Sequence, residues 1–170
     1  EEVPATQAGV EQDQIFTPPG SQRFIRRIRG CYGMSLTPPS HCFGPRQVLT
    51  GVNRPERSSN VWISADPCPQ WLRLEWPKPV SIRRIQITFD NDLDRTRTQW
   101  SEGGCIPALV RDYRVLACDG PAERVLVEVT DNHQRVRWHD VGHQDVSALR
   151  IELLSTWGLN EARVVEVRVF

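Results

Sequence analysis

The chain has 170 residues, and its 21 lysine and arginine side chains balance its 21 aspartate and glutamate side chains, so the formal net charge is zero. This length fits one domain with an independent hydrophobic core. The charge gives no reason to expect a nucleic acid or an anionic membrane as partner, and no apolar run is long enough to span a bilayer.

The first part of the chain is predicted to be a tail. Residues 1–21 are polar, lack hydrophobic periodicity and end at Pro18-Pro19-Gly20, which is typical of a tail or linker. We therefore assign residues 22–170 to the folded domain. Within it, Arg23–Arg29 mixes apolar and basic positions; it fits an edge strand or a short amphipathic helix, and we favour the strand. The chain has neither an initiator Met nor a signal peptide, so we expect an excised domain or a mature fragment.

The strongest strand signal lies between residues 60 and 93. Gln70–Trp76 alternates leucine and tryptophan with charged residues, and Val80–Phe89 places isoleucine and phenylalanine between polar residues. A period of two residues indicates a sheet with one buried face and one solvated face. Because Pro77 and Pro79 cannot donate ladder hydrogen bonds, we predict two strands joined by a turn at these prolines.

Short strand patterns continue to the end of the chain. Turn signals such as Asp119-Gly120-Pro121 separate strands predicted at Val110–Ala117, Arg124–Val129, Arg135–His139, Ala148–Leu154 and Ala162–Phe170. Residues 90–104 form a long polar loop, and loops of this length are usually functional or mobile. Many short strands and no run of helical period predict an all-β protein built as an antiparallel β-sandwich.

Four tryptophans lie within the strand patterns. We assign Trp62, Trp71, Trp76 and Trp138 to the core or its rim because their neighbours alternate as in half-buried strands. Trp100 and Trp157 instead lie in polar loops.

The five cysteines are Cys31, Cys42, Cys68, Cys105 and Cys118, and none belongs to a CxxC pair, so a zinc site has weak support. An odd number leaves at least one without an intrachain partner. One or two disulfides are possible in an exported protein, but we favour thiols in a reducing compartment.

The order of these segments resembles the discoidin-like, galactose-binding-like β-sandwich, a family that includes the C domains of coagulation factors five and eight and many bacterial carbohydrate-binding modules. The resemblance covers about residues 30–170 and rests on Leu49-Thr-Gly-Val-Asn53 before Trp62-Ile-Ser64, Gln70–Trp76 before Val80–Ile87, and Leu149–Leu153 before Ala162–Val169. It implies a jelly-roll fold and a non-catalytic binding module that recognises carbohydrate and positions a larger bacterial enzyme.

A narrower resemblance concerns five short segments. They look like a module at the carboxyl end of some bacterial FAD-dependent oxidoreductases, and they are Asn53-Arg-Pro55, Asn60–Ser64, Pro69-Gln-Trp71, Thr88–Leu93 and Val110–Tyr113. This implies an alternative function: a structural docking or accessory domain of a flavin-dependent oxidoreductase, with no ligand of its own. The chain has no GxGxxG after a strand, so we do not expect it to hold a dinucleotide. Whether its compartment is extracellular, periplasmic or cytoplasmic stays open.

A sugar site is predicted from two loops. In the family that the chain resembles, ligands meet the loops at one end of the sandwich. Aromatic faces stack on sugar rings, while amides and carboxylates bond the hydroxyls. Loops 90–104 and 155–161 contain both kinds of side chain, so we predict a shallow glycan or polysaccharide site made by Trp100, Trp157, Asn91, Asp92, Asp94 and Asn160. The alternative is that both tryptophans cap the core or pack on a parent enzyme domain.

A calcium site is the second candidate. Related sandwiches often bind a structural calcium ion between an early Asp-Gly turn and a glutamate of the last strand. Glu166 matches that glutamate, but Thr50 stands where the family usually has Asp, and Asn53 is only a partial substitute. Losing a carboxylate weakens a site for a hard cation. We therefore expect no cofactor, and we keep Thr50, Asn53 and Glu166 as weak calcium candidates.

No catalytic frame is recognisable. The sequence has no GxSxG nucleophile motif, and Gly142 argues against a helical metal pair of His139 and His143, which we expect at the surface. Loop 90–104 also contains three aspartates, but nothing in the sequence would separate their pKa values as a glycosidase requires. We therefore predict no catalytic residue in this chain.

Overall fold

The computed structural model describes residues 43–53, 60–92 and 104–170. These residues form a 3-10 helix, Pro45–Leu49, and the strands β1 (Trp62–Ile63), β2 (Gln70–Phe89), β3 (Val110–Asp119), β4 (Ala122–Val129), β5 (Val136–Thr156) and β6 (Arg163–Val169). The predicted tail 1–21, the predicted strand Arg23–Arg29, and the site candidates Asp94 and Trp100 lie outside the described residues. Within the described ranges, no helix is long and apolar enough to cross a membrane.

The strands form an antiparallel sheet that folds over on itself. Their order across the sheet is β1-β6-β2-β5-β3-β4. Thr88 pairs with the start of β5 and Tyr113 pairs near its end, positions roughly 50 Å apart along an extended strand. Nevertheless, the rings of Phe89 and Tyr113 lie with their centroids 4.9 Å apart. The two halves of the sheet therefore face each other across one core, and the predicted antiparallel β-sandwich is confirmed.

The prolines of β2 lie in a bulge and not in a turn, so the prediction of two separate strands was wrong. Both halves of β2 pair with β5, because Glu75 lies opposite Ala148 and Val80 lies opposite Val146. The residues between Glu75 and Val80 interrupt this register. A bulge accommodates Pro77 and Pro79 because its residues need not donate to the ladder.

A second irregularity lies on β5. The predicted strands Arg135–His139 and Ala148–Leu154 belong to one long strand, whose register with β2 shifts between Ile82 and Arg84. The shift coincides with Gly142, whose φ is +67°. Glycine adopts this left-handed conformation without the steric cost of a Cβ. The two central strands thus both carry a local break in regular pairing.

The predicted alternation of buried residues is largely confirmed. Ile85, Ile87 and Phe89 of β2 are fully buried, as are Tyr113 and Val115 of β3. The intervening Gln86 and Thr88 are buried too, so the end of β2 is covered on both faces. The last residues of β2 also pair with β5 on one side and with β6 on the other, so both edges of this part of the strand are occupied as well.

The tryptophan assignments were right for two residues and wrong for two. Trp62 is buried and Trp76 is half-buried against the core, but Trp71 and Trp138 are 57% and 54% exposed. Leu72, beside Trp71, points into the core, and strand side chains alternate between faces. Trp71 therefore faces outward, as does Trp138, which stacks on Phe170 with a centroid distance of 5.4 Å.

Candidate functional site

Several loops meet at one end of the sandwich, which we call the loop end. Three backbone hydrogen bonds join them: Cys68 N–H donates to Asn160 O (2.7 Å), Trp157 N–H to Leu109 O (3.1 Å), and Asn132 N–H to Arg111 O (2.8 Å). The bent course of β2 and β5 places these loops together. The loop of Trp157 is therefore one of the loops that meet at this end.

Asn132 fixes the turn between β4 and β5. It is buried, and its Nδ2 donates to Val110 O (2.9 Å) and Gln134 O (3.0 Å). Its Oδ1 accepts from Gln134 N–H (3.0 Å) and from Arg137 Nη1 (3.3 Å). Because donor and acceptor sides are both satisfied, the turn that carries Asp131 and His133 is held in one conformation.

Trp157 is half-buried and packs against the core. Its Nε1–H donates to Asn132 O at 2.7 Å. The Arg111 guanidinium lies over the indole, 5.0 Å from the centroid, and the His133 ring lies 4.8 Å away with a 35° tilt. The indole is therefore a support for Arg111 and His133 as well as a cap on the core.

The exposed groups around the indole are ordered by further contacts. Arg111 binds the Asp131 carboxylate, with Nη2 2.8 Å from Oδ1. Asp112 accepts from Ser155 Oγ (2.5 Å) and from Asp131 N–H (3.0 Å). Burial opposes the charge on Asp112, but these two bonds and Arg111 outweigh it and hold the pKa of Asp112 below its ordinary value.

His133 has an additional partner inside the protein. Cys105 is buried, and its Sγ lies 3.1 Å from His133 Nδ1. A thiol bonded to one ring nitrogen orients the imidazole. Together, Arg111, Asp131, His133 and Trp157 form what we call the Arg111 cluster, which offers a guanidinium, a carboxylate and an imidazole to solvent.

The other predicted loop is tied to the loop of Trp157 through Arg163. This arginine is fully buried; it contacts Asp90 at 3.5 Å and Glu161 at 2.7 Å. Burial raises the pKa of Asp90, although Arg163 works in the opposite direction. Asp90 Oδ1 also accepts from Asp92 N–H at 3.0 Å. These contacts give Asp90 a structural part in joining the two loops.

The predicted sugar-binding residues are distributed over these two loops. Trp157 belongs to the Arg111 cluster, and the exposed Asn160 follows it on the same loop. Asn91 is half-buried and Asp92 is buried at the end of β2. Sequence reasoning missed Arg111, Asp131 and His133; the available signal was a charged Asp-Asn-His turn, which was read only as a turn.

The candidate calcium ligands do not form an oxygen-rich set. Thr50 Oγ1 accepts from Val52 N–H at 3.3 Å, the Asn53 carbonyl accepts from Arg135, and Glu166 Oε1 accepts from Arg168 Nε at 2.8 Å. In the part of the chain that the structure describes, no three His, Cys, Asp or Glu side chains gather as a metal site. The described residues at this place therefore do not fit a calcium ion.

The predicted surface position of the two histidines holds for His143, which is exposed, whereas His139 is half-buried beside the core. The Nε2 atom of His139 lies 2.9 Å from the hydroxyl of the fully buried Tyr113. Burial raises the pKa of Tyr113 to about 12; burial, with a smaller effect of Arg137, lowers the pKa of His139 to about 4. Both groups are thus neutral near pH 7 and form an internal hydrogen bond.

The sequence matches no protein-family model and no curated protein. Solved structures match it in fold. The family 32 carbohydrate-binding module of Streptococcus pneumoniae EndoD is 13% identical and superposes with a TM-score of 0.61, covering 77% of this chain and 87% of that module.

Two further structures agree. The family 32 module of Clostridium perfringens NanJ, solved in complex with galactose, is 18% identical, with a TM-score of 0.57 and coverage of 76% and 86%. Chitosan-binding module 2 of the Paenibacillus sp. IK-5 chitosanase/glucanase, solved with chitotriose, is 12% identical, with a TM-score of 0.58 and coverage of 77% and 88%. The chain therefore has the discoidin-like, galactose-binding-like β-sandwich fold of the family 32 carbohydrate-binding modules.

Proposed function

We propose that this domain is a non-catalytic carbohydrate-binding module with its glycan site at the loop end, on the Arg111 cluster. The observation that carries the proposal is the group of exposed polar side chains held around the half-buried Trp157. Structures of the same fold, solved with galactose, with GalNAc-β-1,3-galactose and with chitotriose, support a sugar as the ligand.

The chemistry of the cluster suits sugar hydroxyls. Arg111 and His133 can donate hydrogen bonds, and the Asp131 carboxylate can accept them. A hydrogen bond to a charged group contributes about 1.5–3 kcal/mol, or roughly a 10- to 100-fold change in affinity. Because Asp131, Asp112 and Cys105 already hold these groups, little ordering is needed when a ligand binds.

The sequence-predicted residues extend this proposal. Asn160 is exposed on the same loop as Trp157, so its amide is available to a hydroxyl beside the cluster. Trp100 would supply a stacking face, which Trp157 offers less freely because Arg111 and His133 lie against it. The contributions of Trp100 and Asp94 rest on the sequence alone.

Binding to a glycan array, followed by calorimetry on the best ligand, tests the proposal. We expect Arg111→Ala and His133→Ala each to weaken binding by about tenfold or more. Arg124→Ala is the matched control, because this arginine of β4 is exposed and bonds Gln144. The proposal is wrong if no glycan binds, or if both cluster variants bind like the control while all three keep the same Tm.

One observation supports a second candidate function, docking to a parent enzyme. A groove of about 340 Å³ runs beside the 3-10 helix and is lined partly by Pro45, Leu49, Leu74, Trp76 and Val167. Leu49 is 62% exposed and Val52 is 50% exposed. Exposed apolar groups of this kind are typical of an interaction surface. Through this surface the module would position a larger enzyme. The resemblance of the sequence implies that this enzyme is a flavin-dependent oxidoreductase.

Hydrogen exchange on the full-length gene product tests the docking function. If a parent domain packs on the groove, amides of Val48 and Leu49 exchange more slowly in the full-length protein than in the isolated domain. Equal exchange rates in both would exclude docking at this surface. Glycan binding at the loop end would be unaffected by that result, so the two proposals are tested separately.

A further inference from the structure

Side-chain N–H groups hold the 50–53 loop against the sandwich. Three consecutive carbonyls of this loop each accept from such a donor. Gly51 O accepts from Arg168 Nη2 at 3.2 Å, Val52 O from Asn60 Nδ2, and Asn53 O from Arg135 Nη2. The loop is thus fastened by two arginines and one asparagine that come from elsewhere in the chain.

Arg168 also neutralises the carboxylate of Glu166, the one that the described residues place here. Glu166 is 1% exposed, and its Oε1 lies 2.8 Å from Arg168 Nε and 2.7 Å from Arg168 Nη2. Because the same Nη2 bonds Gly51 O, the guanidinium bridges the last strand and the loop. A buried carboxylate without such a partner would be strongly destabilising.

These contacts occupy the place that related sandwiches give to calcium. Calcium takes six to eight oxygen ligands, with carboxylates prominent among them. Here Thr50 replaces a carboxylate, and the fixed positive charge of Arg168 would repel a cation. Among the described residues, the buried acceptors left without a hydrogen-bond partner at this place are Glu166 Oε2 and Asn60 Oδ1. One carboxylate oxygen and one amide oxygen are too few for the ion.

We propose that Arg168, assisted by Arg135 and Asn60, replaces calcium as the tether between the 50–53 loop and the last strand. The domain accordingly folds, and presents its loop end, without a metal ion. The tether is argued from its own contacts and not from ligand binding, so this inference does not depend on the proposed function.

Calcium titration is the first test. After dialysis against a chelator, we expect millimolar CaCl2 to shift the Tm by less than about 1 °C and to give no saturable heat in calorimetry. A Tm rise of several degrees, or saturable calcium heat, would overturn the proposal.

Removal of the guanidinium is the second test. Arg168→Ala should lower the Tm by roughly 5–10 °C, because it leaves Glu166 buried and unpaired. Adding Glu166→Gln to Arg168→Ala should recover part of that loss, since the uncompensated charge is gone. Arg124→Ala, at an exposed arginine of β4, should leave the Tm within about 1 °C of wild type. If the Tm of Arg168→Ala equalled that of this control, Arg168 would not be the tether. If Arg168→Ala failed to fold, the Tm of the double variant would be compared with that of the control instead.

Discussion

Asn132 uses both ends of its amide to hold the loop end together. Its side chain bonds Val110 and Gln134 on the donor side and Gln134 and Arg137 on the acceptor side. Its own carbonyl accepts the Trp157 indole N–H. One buried residue therefore sets the positions of the turn and of the tryptophan, and with them the geometry of the Arg111 cluster.

We expect Asn132→Ala to lower the free energy of unfolding by about 3 kcal/mol, because the buried Val110 carbonyl and the part-buried bonds to Gln134 and Arg137 lose their partner at once. Urea denaturation measures this change. Asn132→Asp is the matched variant: it keeps the acceptors that bond Gln134 N–H and Arg137, but loses the donor. A loss below about 1 kcal/mol for Asn132→Ala would show that the turn is held by other contacts.

The half-buried His139, bonded to the fully buried Tyr113, predicts a pH dependence of stability. The pKa of His139 falls from 6.5 in the unfolded chain to about 4 in the folded protein. Between these values the unfolded chain binds more protons than the native protein, so stability falls as the pH falls from 6.5 towards 4. The full contribution is present above pH 6.5.

We therefore expect the Tm to drop as the pH is lowered through this window, and His139→Gln to remove about one proton from the uptake on unfolding. Circular dichroism melts at several pH values between 4 and 8 measure the slope. His143→Gln, at an exposed histidine, should keep the wild-type slope. Equal slopes for His139→Gln and wild type would contradict the assignment.

At the residue scale, Trp157 was predicted as a ligand residue because it interrupts a polar loop. It lies against Arg111 and His133, and its part in ligand binding stays a prediction. Arg111 and His133 could not be selected, because they are distant in sequence and meet at Trp157 only through the register of β3, β4 and β5. Likewise, a tryptophan within a strand pattern does not reveal which face it occupies, as Trp138 shows.

Among the elements, β2 and β5 determine the shape of the sandwich. They pair over almost their whole lengths, and their irregularities lie at the prolines of β2 and at Gly142 of β5. Regular ladders are interrupted where proline cannot donate and where glycine takes a left-handed conformation. The two strands can therefore belong to both halves of the sandwich.

Gly142 is the position to test. A Cβ added there would meet only Gln144 Nε2, at 3.9 Å, so the cost of Gly142→Ala comes from the backbone conformation. We expect a loss of about 1–2 kcal/mol in the free energy of unfolding, measured by urea denaturation. Gly142→Asn should lose less, because asparagine tolerates positive φ better. Equal losses for the two variants would mean that φ is not the cause.

The sequence could not distinguish a turn from a bulge at Pro77 and Pro79. Proline interrupts a regular ladder in a turn and in a bulge alike, so the residues around Pro77 and Pro79 fit either structure. The difference lies in the partner, because both halves of β2 meet β5 across Glu75–Ala148 and Val80–Val146. Which strand β2 pairs with depends on the packing of the whole core. Local patterns therefore predict the strands but not whether two of them are continuous.

For the whole molecule, the fold was predictable because the order of its segments is distinctive and the period-two patterns are regular. The predicted calcium site depended on single residues and fits poorly. There, Arg168 provides positive charge next to Glu166. The same use of arginine recurs on the outer face, where Arg114 and Arg150 both bind Glu152. Arginine and glutamate side chains are thus paired in several places, in a chain whose formal net charge is zero.

The predicted tail, residues 1–21, is expected to contribute little to the stability of the domain. Residues 1–21 are polar and lack the periodicity of a core element, and the described residues from Val48 to Val167 already include a continuous hydrophobic core. Removing residues 1–21 should therefore leave the Tm within about 2 °C of the full chain and leave glycan binding unchanged. Differential scanning fluorimetry and calorimetry measure the two quantities. A larger loss of Tm with intact binding would mean that the tail covers apolar surface away from the loop end. A loss of binding with an intact Tm would instead assign part of the ligand site to the tail.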